Sequence, residues 1–136
     1  MVDFVGDELP GVLALADVVV SRSGAGTLAE LTALGKPSVL IPLIPTGGNE
    51  QEHNACHLAD HDAARTLVGS QATPDGLRRH LDELVSDLSR RAAMAAAAHQ
   101  LGHPHAASEL AVQLLELCTV RLPHRARSRG RRPVPR

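Results

Sequence analysis

The stretch Asp17-Val18-Val19-Val20-Ser21-Arg22-Ser23-Gly24-Ala25-Gly26-Thr27-Leu28-Ala29-Glu30-Leu31 decides the fold. Asp17 to Val20 is a short β-branched run of the kind buried in parallel sheets. A small-residue loop, Ser21 to Gly26, follows it, and the pattern then predicts a helix from Thr27 to Leu34. Gly35 ends that helix in a left-handed conformation, and Pro37 blocks its continuation. Ser38-Val39-Leu40-Ile41 is the next strand, stopped by Pro42.

The same alternation continues outward. Pro10 suits the first turn of a short helix reaching about Ala16, and Val2 to Val5 reads as the end of a strand. A loop from Pro42 to Asn49 leads into a helix over Glu50 to Asp60, and Arg65 to Val68 is a third strand. Thr73 caps a helix opened by Pro74, in which Leu77, Leu81, Leu84, Val85 and Leu88 recur at helical spacing. An Ala-rich helical stretch, Ala92 to Ala98, continues to a break at His103-Pro104-His105, and Ala106 to Leu117 forms a last amphipathic helix. Strands alternating with helices predict an α/β fold with a parallel sheet. We place the folded domain at residues 1–118 and a disordered basic tail at 119–136.

Composition agrees. The chain has 136 residues, which suits one small domain, and Phe4 is its sole aromatic, so Leu, Val, Ile and Ala must build the core. No apolar run approaches the roughly 20 residues that cross a bilayer, and the start lacks the basic and apolar regions of a secretory signal. Cys56 and Cys118 follow no metal or redox spacing, so a reduced, cytoplasmic setting is expected. Residues 1–120 hold seven Lys or Arg against fifteen Asp or Glu, whereas 121–136 hold seven Arg and no acid. Such a tail has little to bury; it is read as a solvated end, with no nucleic acid expected.

The glycine loop carries the chemistry. Backbone N–H groups at a helix N-terminus, with about half a positive charge from the helix dipole, make an anion site. Gly24 and Gly26 let a diphosphate approach where a Cβ would obstruct it. As turn chemistry alone, the loop needs no ligand. Glu30, about one turn into the helix, is within reach of a ligand on the loop, and a carboxylate suits the paired hydroxyls of a ribose. The bland reading makes Glu30 a first-turn acid complementing the dipole. Gln51 and Asn54 lie three apart on one helix face, and their amides suit sugar hydroxyls as well as ordinary helix-start polarity.

The run Ala16 to Leu31, then Gly35-Lys36-Pro37, Ile41-Pro42 and Glu50-Gln51-Glu52-His53-Asn54-Ala55, resembles the MurG-like family of UDP-N-acetylglucosamine glycosyltransferases. The resemblance runs from Phe4 to Leu117 and covers a C-terminal, donor-binding lobe. It implies a Rossmann-like parallel sheet within a two-lobed GT-B enzyme acting on a lipid-linked or cell-envelope acceptor. Ser23, Gly24, Ala25, Gly26 and Thr27 would meet the donor diphosphate, Glu30 the ribose, and Glu50, Gln51 and Asn54 the donor sugar. UDP-sugar is the implied substrate, with no metal expected. Gly26, where the family often has a larger apolar residue, Glu50 and the loop Pro45 to Asn49 depart from the family pattern, which leaves the sugar open.

The resemblance also implies an acceptor lobe that supplies the base and sits peripherally at the inner membrane face. No residue here matches the base, so the chain is expected to be an incomplete lobe, inactive alone. A donor-binding subunit of a split enzyme is an alternative, as is a UDP-N-acetylglucosamine 2-epimerase-like domain. Gly24 to Ala29 also fits a dinucleotide fingerprint, but Leu43-Ile44-Pro45-Thr46 lacks the acid expected after the next strand. His53, His57 and His61 share a helix face at zinc-like spacing without a clear fourth ligand.

Overall fold

In the computed structural model, residues 5–43 and 48–120 are described, with the backbone alone for Thr119 and Val120. Of the strand end expected over Val2 to Val5, all but Val5, which is not in a strand, lies outside the described residues, as do most of the loop after Leu43 and the tail from Arg121. Among the described residues, three parallel strands, β1 (Val19–Ser21), β2 (Ser38–Leu40) and β3 (Arg65–Thr66), lie in the order β1-β2-β3. Val19 pairs with Ser38, Ser21 with Leu40, and Leu40 with Thr66. Helix α1 (Leu9–Leu15) precedes β1, α2 (Ala25–Ala33) joins β1 to β2, and α3 (Glu50–Asp60) joins β2 to β3. A 3₁₀ turn, α4 (Pro74–Ser86) and α5 (Leu88–Gln100) follow.

The central strand shows why the sheet must be covered on both faces. Successive side chains of a strand point to opposite faces. Val39 accordingly packs with Leu67, Leu84 and Met94, while Leu40 packs with Leu28, Leu31, Ala55, Leu58 and Ala98. All three β2 residues are buried, as a strand with helices on both sides requires. Among the described residues no Phe, Tyr or Trp joins this core; small alanines at 55, 63, 64 and 98 let helix and sheet approach closely.

Helix ends follow the local signals. Gly35 has φ +59°, its N–H donates to the Thr32 carbonyl at 3.1 Å, and the Lys36 N–H donates to the Leu31 carbonyl at 2.8 Å. Those two bonds form a Schellman stop, which only a residue tolerant of positive φ makes without strain. Thr73 Oγ1 accepts the Gly76 N–H at 3.0 Å, capping α4. Lys36 Nζ reaches back to the Ala14 and Ala16 carbonyls at 2.6 and 3.2 Å, where a cation suits the end of α1.

Some boundaries move. Helix α2 starts at Ala25, two residues before the expected Thr27, because Gly24 adopts the extended N-cap conformation. The leucine series from Leu77 does not form one helix with the Ala-rich stretch. Asp87 ends α4 and caps α5, accepting the Arg90 N–H at 2.9 Å and the Ser89 hydroxyl at 2.7 Å. Val85 and Leu88, at that junction, are 64% and 69% exposed. Contacts divide the chain into residues 1–104 and 105–136. Of the second unit, the described part is α6 (Ala106–Val120), which runs three residues past the expected Leu117.

Candidate functional site

Parallel pairing puts the carboxyl ends of β1 and β2 side by side, with Ser21 opposite Leu40. The chain leaves β1 through Arg22-Ser23-Gly24 and leaves β2 through Ile41-Pro42-Leu43, so both loops emerge at one edge. Such an edge is where open α/β sheets bind ligands.

Helix α2 opens at this edge. Its N-cap, Gly24, offers no side chain to the first-turn N–H groups, and Ala25 and Gly26 are exposed. The first helical bond runs from the Leu28 N–H to the Gly24 carbonyl at 3.0 Å. That leaves the N–H groups of Ala25, Gly26 and Thr27 as the helix-end donors that an anion would use. Gly24 has φ −66° and ψ 148°, open to any residue, and a Cβ at Gly24 or Gly26 would meet no protein atom within 4 Å. Among the described residues, neither backbone angle nor packing requires glycine at Gly24, and packing does not require it at Gly26.

Helix α3 is fastened to the same loop. Buried Ser23 donates its hydroxyl to the Gln51 carbonyl at 2.6 Å, and Asn54 Nδ2 donates to the Ser23 carbonyl at 3.1 Å. The Leu43 N–H donates to Gln51 Oε1 at 2.9 Å. Ser23, Gly24, Ala25, Gly26, Thr27, Gln51 and Asn54 are thereby gathered at one edge. Each of the two amides already uses one end in holding the loops. The Gln51 NH₂ and the Asn54 carbonyl oxygen take no part in these two bonds.

Glu50 is exposed at the first position of α3. Glu30 is exposed on α2, and because the helix begins at Ala25 it lies in the second turn; the first turn holds no acid. The reading of Glu30 as a first-turn dipole partner therefore falls. Glu30 stands four residues after Gly26, on the same face and about 6 Å along the axis. One participant escaped the sequence reading. Arg22 Nη1 donates to the Ile41 and Pro42 carbonyls at 3.0 and 3.3 Å, bridging the two loops. Only its position directly after the first strand hinted at this.

The histidine face on α3 gives no third metal ligand. The His57 and His61 rings lie 4.7 Å apart, with His61 Nδ1 against the His57 carbonyl at 2.8 Å. No group of three His, Cys, Asp or Glu placed to hold a metal occurs among the described residues.

A cavity of about 450 Å³ lies elsewhere, lined by Asp62, Arg65, Asp87, Ser89, Arg90, Ala93 and Met94. It sits where the chain enters β3, at the opposite end of the sheet from Gly24. Its cations are matched internally. Arg65 lies 3.9 Å from Asp62 and 4.0 Å from Glu83, and Arg90 pairs with Glu83 and with Asp87 at 3.9 Å. Its rim acid Asp87 is held below the usual carboxylate range by the Arg90 backbone N–H and the Ser89 hydroxyl. The cavity offers an anion little unmatched charge.

A parallel α/β unit with a glycine-led, uncapped helix N-terminus and a polar second helix start at one sheet edge is, in class, a Rossmann-like lobe with an edge suited to an anion. Residues 3–110 match the glycosyltransferase family 28 C-terminal domain, and the chain belongs to that family. It is 50% identical over 102 residues to a UDP-N-acetylglucosamine--N-acetylmuramyl-(pentapeptide) pyrophosphoryl-undecaprenol N-acetylglucosamine transferase of Bacillus cereus, covering 75% of this chain and 28% of that protein. It is 45% identical over 116 residues to the transferase of the same name from Nitrobacter hamburgensis, covering 85% and 31%. The crystal structure of MurG from Acinetobacter baumannii superposes with a TM-score of 0.73 at 26% identity, over 85% of this chain and 34% of that one. The chain thus spans about a third of the length of the relatives it matches.

Proposed function

We propose that this chain is the donor-binding part of a UDP-sugar-dependent glycosyltransferase that moves N-acetylglucosamine onto a lipid-linked acceptor. The observation that carries the reading is the uncapped N-terminus of α2 behind Gly24, fastened through Ser23 to Gln51 and Asn54. The names of the relatives supply the donor and the acceptor class.

In this reading Ser23 orders the loop, while the backbone at Gly24, Ala25, Gly26 and Thr27 and the Thr27 hydroxyl receive the diphosphate. Phosphate oxygens meet N–H groups and the positive end of the helix dipole without a metal. Glu30 accepts hydrogen bonds from the ribose hydroxyls. Glu50, Gln51 and Asn54 read the sugar, Gln51 donating and Asn54 accepting. The two-loop arrangement holds the anomeric bond between diphosphate and sugar sites, and the stabilised leaving group is the UDP diphosphate. No residue of this chain is assigned as the base; that role belongs to an acceptor-binding lobe, peripheral to the cytoplasmic face of the membrane. Thermal shift with UDP, UDP-N-acetylglucosamine and TDP tests the reading. We expect stabilisation rising with concentration for both UDP compounds and less for TDP. Equal melting temperatures with and without UDP at millimolar concentration would contradict it.

A further inference from the structure

We propose that Arg22 is a positioning residue that sets the spacing between the diphosphate loop and the sugar-reading helix start; the ligand names in this inference rest on the function proposed above. Arg22 Nη1 donates to two successive carbonyls of the other loop, Ile41 at 3.0 Å and Pro42 at 3.3 Å. Those carbonyls lie at the end of β2, where the ladder closes with the Ile41 N–H on the Ser21 carbonyl at 2.9 Å. Past this bond β1 and β2 have no further pairing, and the two loops would part.

Arg22 holds them one residue further, and the polar bonds beyond it form a circuit. Leu43, next after Pro42, donates its N–H to Gln51 Oε1 at 2.9 Å. The Gln51 carbonyl accepts the Ser23 hydroxyl at 2.6 Å, and the Ser23 carbonyl accepts Asn54 Nδ2 at 3.1 Å. Ser23 is the neighbour of Arg22. The circuit therefore runs from Arg22 to Pro42, Leu43, Gln51 and Ser23, and back to Arg22. A guanidinium suits the first link, since its rigid plane fixes the direction of its donors and keeps its charge at all ordinary pH. No carboxylate pairs with Arg22 among the described residues, so its bonds to the two carbonyls are not shared with a salt bridge.

The consequence is a division of labour. The diphosphate site belongs to one loop and is complete without Arg22. The sugar site needs Gln51 and Asn54 at a fixed distance from that loop, and Arg22 is what links the far side of the circuit. Loss of Arg22 should leave UDP binding nearly intact and weaken UDP-N-acetylglucosamine.

The test has two arms on the full chain. In the first, amide hydrogen exchange compares the wild type with Arg22→Ala and Arg22→Lys in the absence of nucleotide. Faster exchange at Leu43 and the first turn of α3 in Arg22→Ala, with Ile41 still protected and Arg22→Lys intermediate, is expected. Unchanged exchange at Leu43 would overturn the inference, and so would loss of protection throughout the sheet. The second arm titrates UDP and UDP-N-acetylglucosamine. In Arg22→Ala the sugar nucleotide should weaken by at least about tenfold, the combined effect of losing the two neutral hydrogen bonds from Gln51 and Asn54, and UDP by less than about threefold. Equal loss for both ligands would make Arg22 a phosphate contact instead and would overturn the inference. A wild type that binds neither ligand would refute the proposed function, and the exchange arm would still judge the clamp.

Discussion

Gly24→Ala separates a ligand site from a mere turn, because among the described residues neither backbone angle nor packing requires glycine there. The backbone at Gly24, φ −66° and ψ 148°, is available to alanine, and the added Cβ meets nothing within 4 Å. Glycine is preferred over alanine at an N-cap, a loss of roughly 0.5–1 kcal/mol. Against this, alanine narrows the unfolded ensemble by about 0.4–1 kcal/mol. The two nearly cancel, so folding stability should change by less than about 1 kcal/mol. Binding should respond differently. A methyl group at the mouth of α2 stands where phosphate oxygens must approach the N–H groups of Ala25 and Gly26. Losing one hydrogen bond to a charged group removes about 1.5–3 kcal/mol, which is tenfold or more in affinity. Urea denaturation and a calorimetric titration with UDP measure the two effects on the same preparation. Wild-type affinity in Gly24→Ala would refute the reasoning, since the glycine would then serve nothing outside the chain.

Other substitutions test the frame. A Cβ on Gly102 would lie 2.7 Å from the Thr32 carbonyl oxygen, where backbone of α2 cannot yield, so Gly102→Ala should destabilise by about 1–3 kcal/mol in urea denaturation. Thr73→Ala removes the cap on Gly76 and should lower stability by about 1 kcal/mol without touching UDP affinity. Burial, and then Arg79 and Arg65, push the His80 imidazole below its ordinary pKa. Because the fold disfavours the proton that the unfolded chain takes up, stability is unaffected well above about pH 6.5 and falls as pH drops through that value. His80→Gln should flatten the slope of unfolding free energy between about pH 7.5 and 5.5; an unchanged slope would contradict the assignment.

Much of the fold was legible because its punctuation is strong. Gly35 before Lys36-Pro37, and Thr73 before Pro74, mark ends that the structure reproduces. The run Asp17 to Val20 marked the first strand, although the strand itself is shifted to Val19–Ser21. Periodicity misled at Val85 and Leu88, because apolar spacing continues across a cap. Asp87 interrupts the helix through hydrogen bonds that composition does not reveal. At the site, Ser23 was legible in the glycine loop, and Gln51 and Asn54 as amides on one face of the helix that follows the second loop. Their mutual bonds were not, since a side chain that reaches a carbonyl 28 residues away leaves no local trace. The Arg22 bridge was hidden for the same reason, its partners lying 19 and 20 residues on.

The most direct test of the donor-binding claim is a two-dimensional amide NMR titration of the labelled chain with UDP, which reports binding site by site even at millimolar affinity. The account predicts saturable shifts concentrated at Ala25, Gly26 and Thr27, with Glu30→Ala weakening the same titration by about tenfold or more. Shifts centred on Arg65 and Arg90, or no saturable shifts at the start of α2, would contradict it.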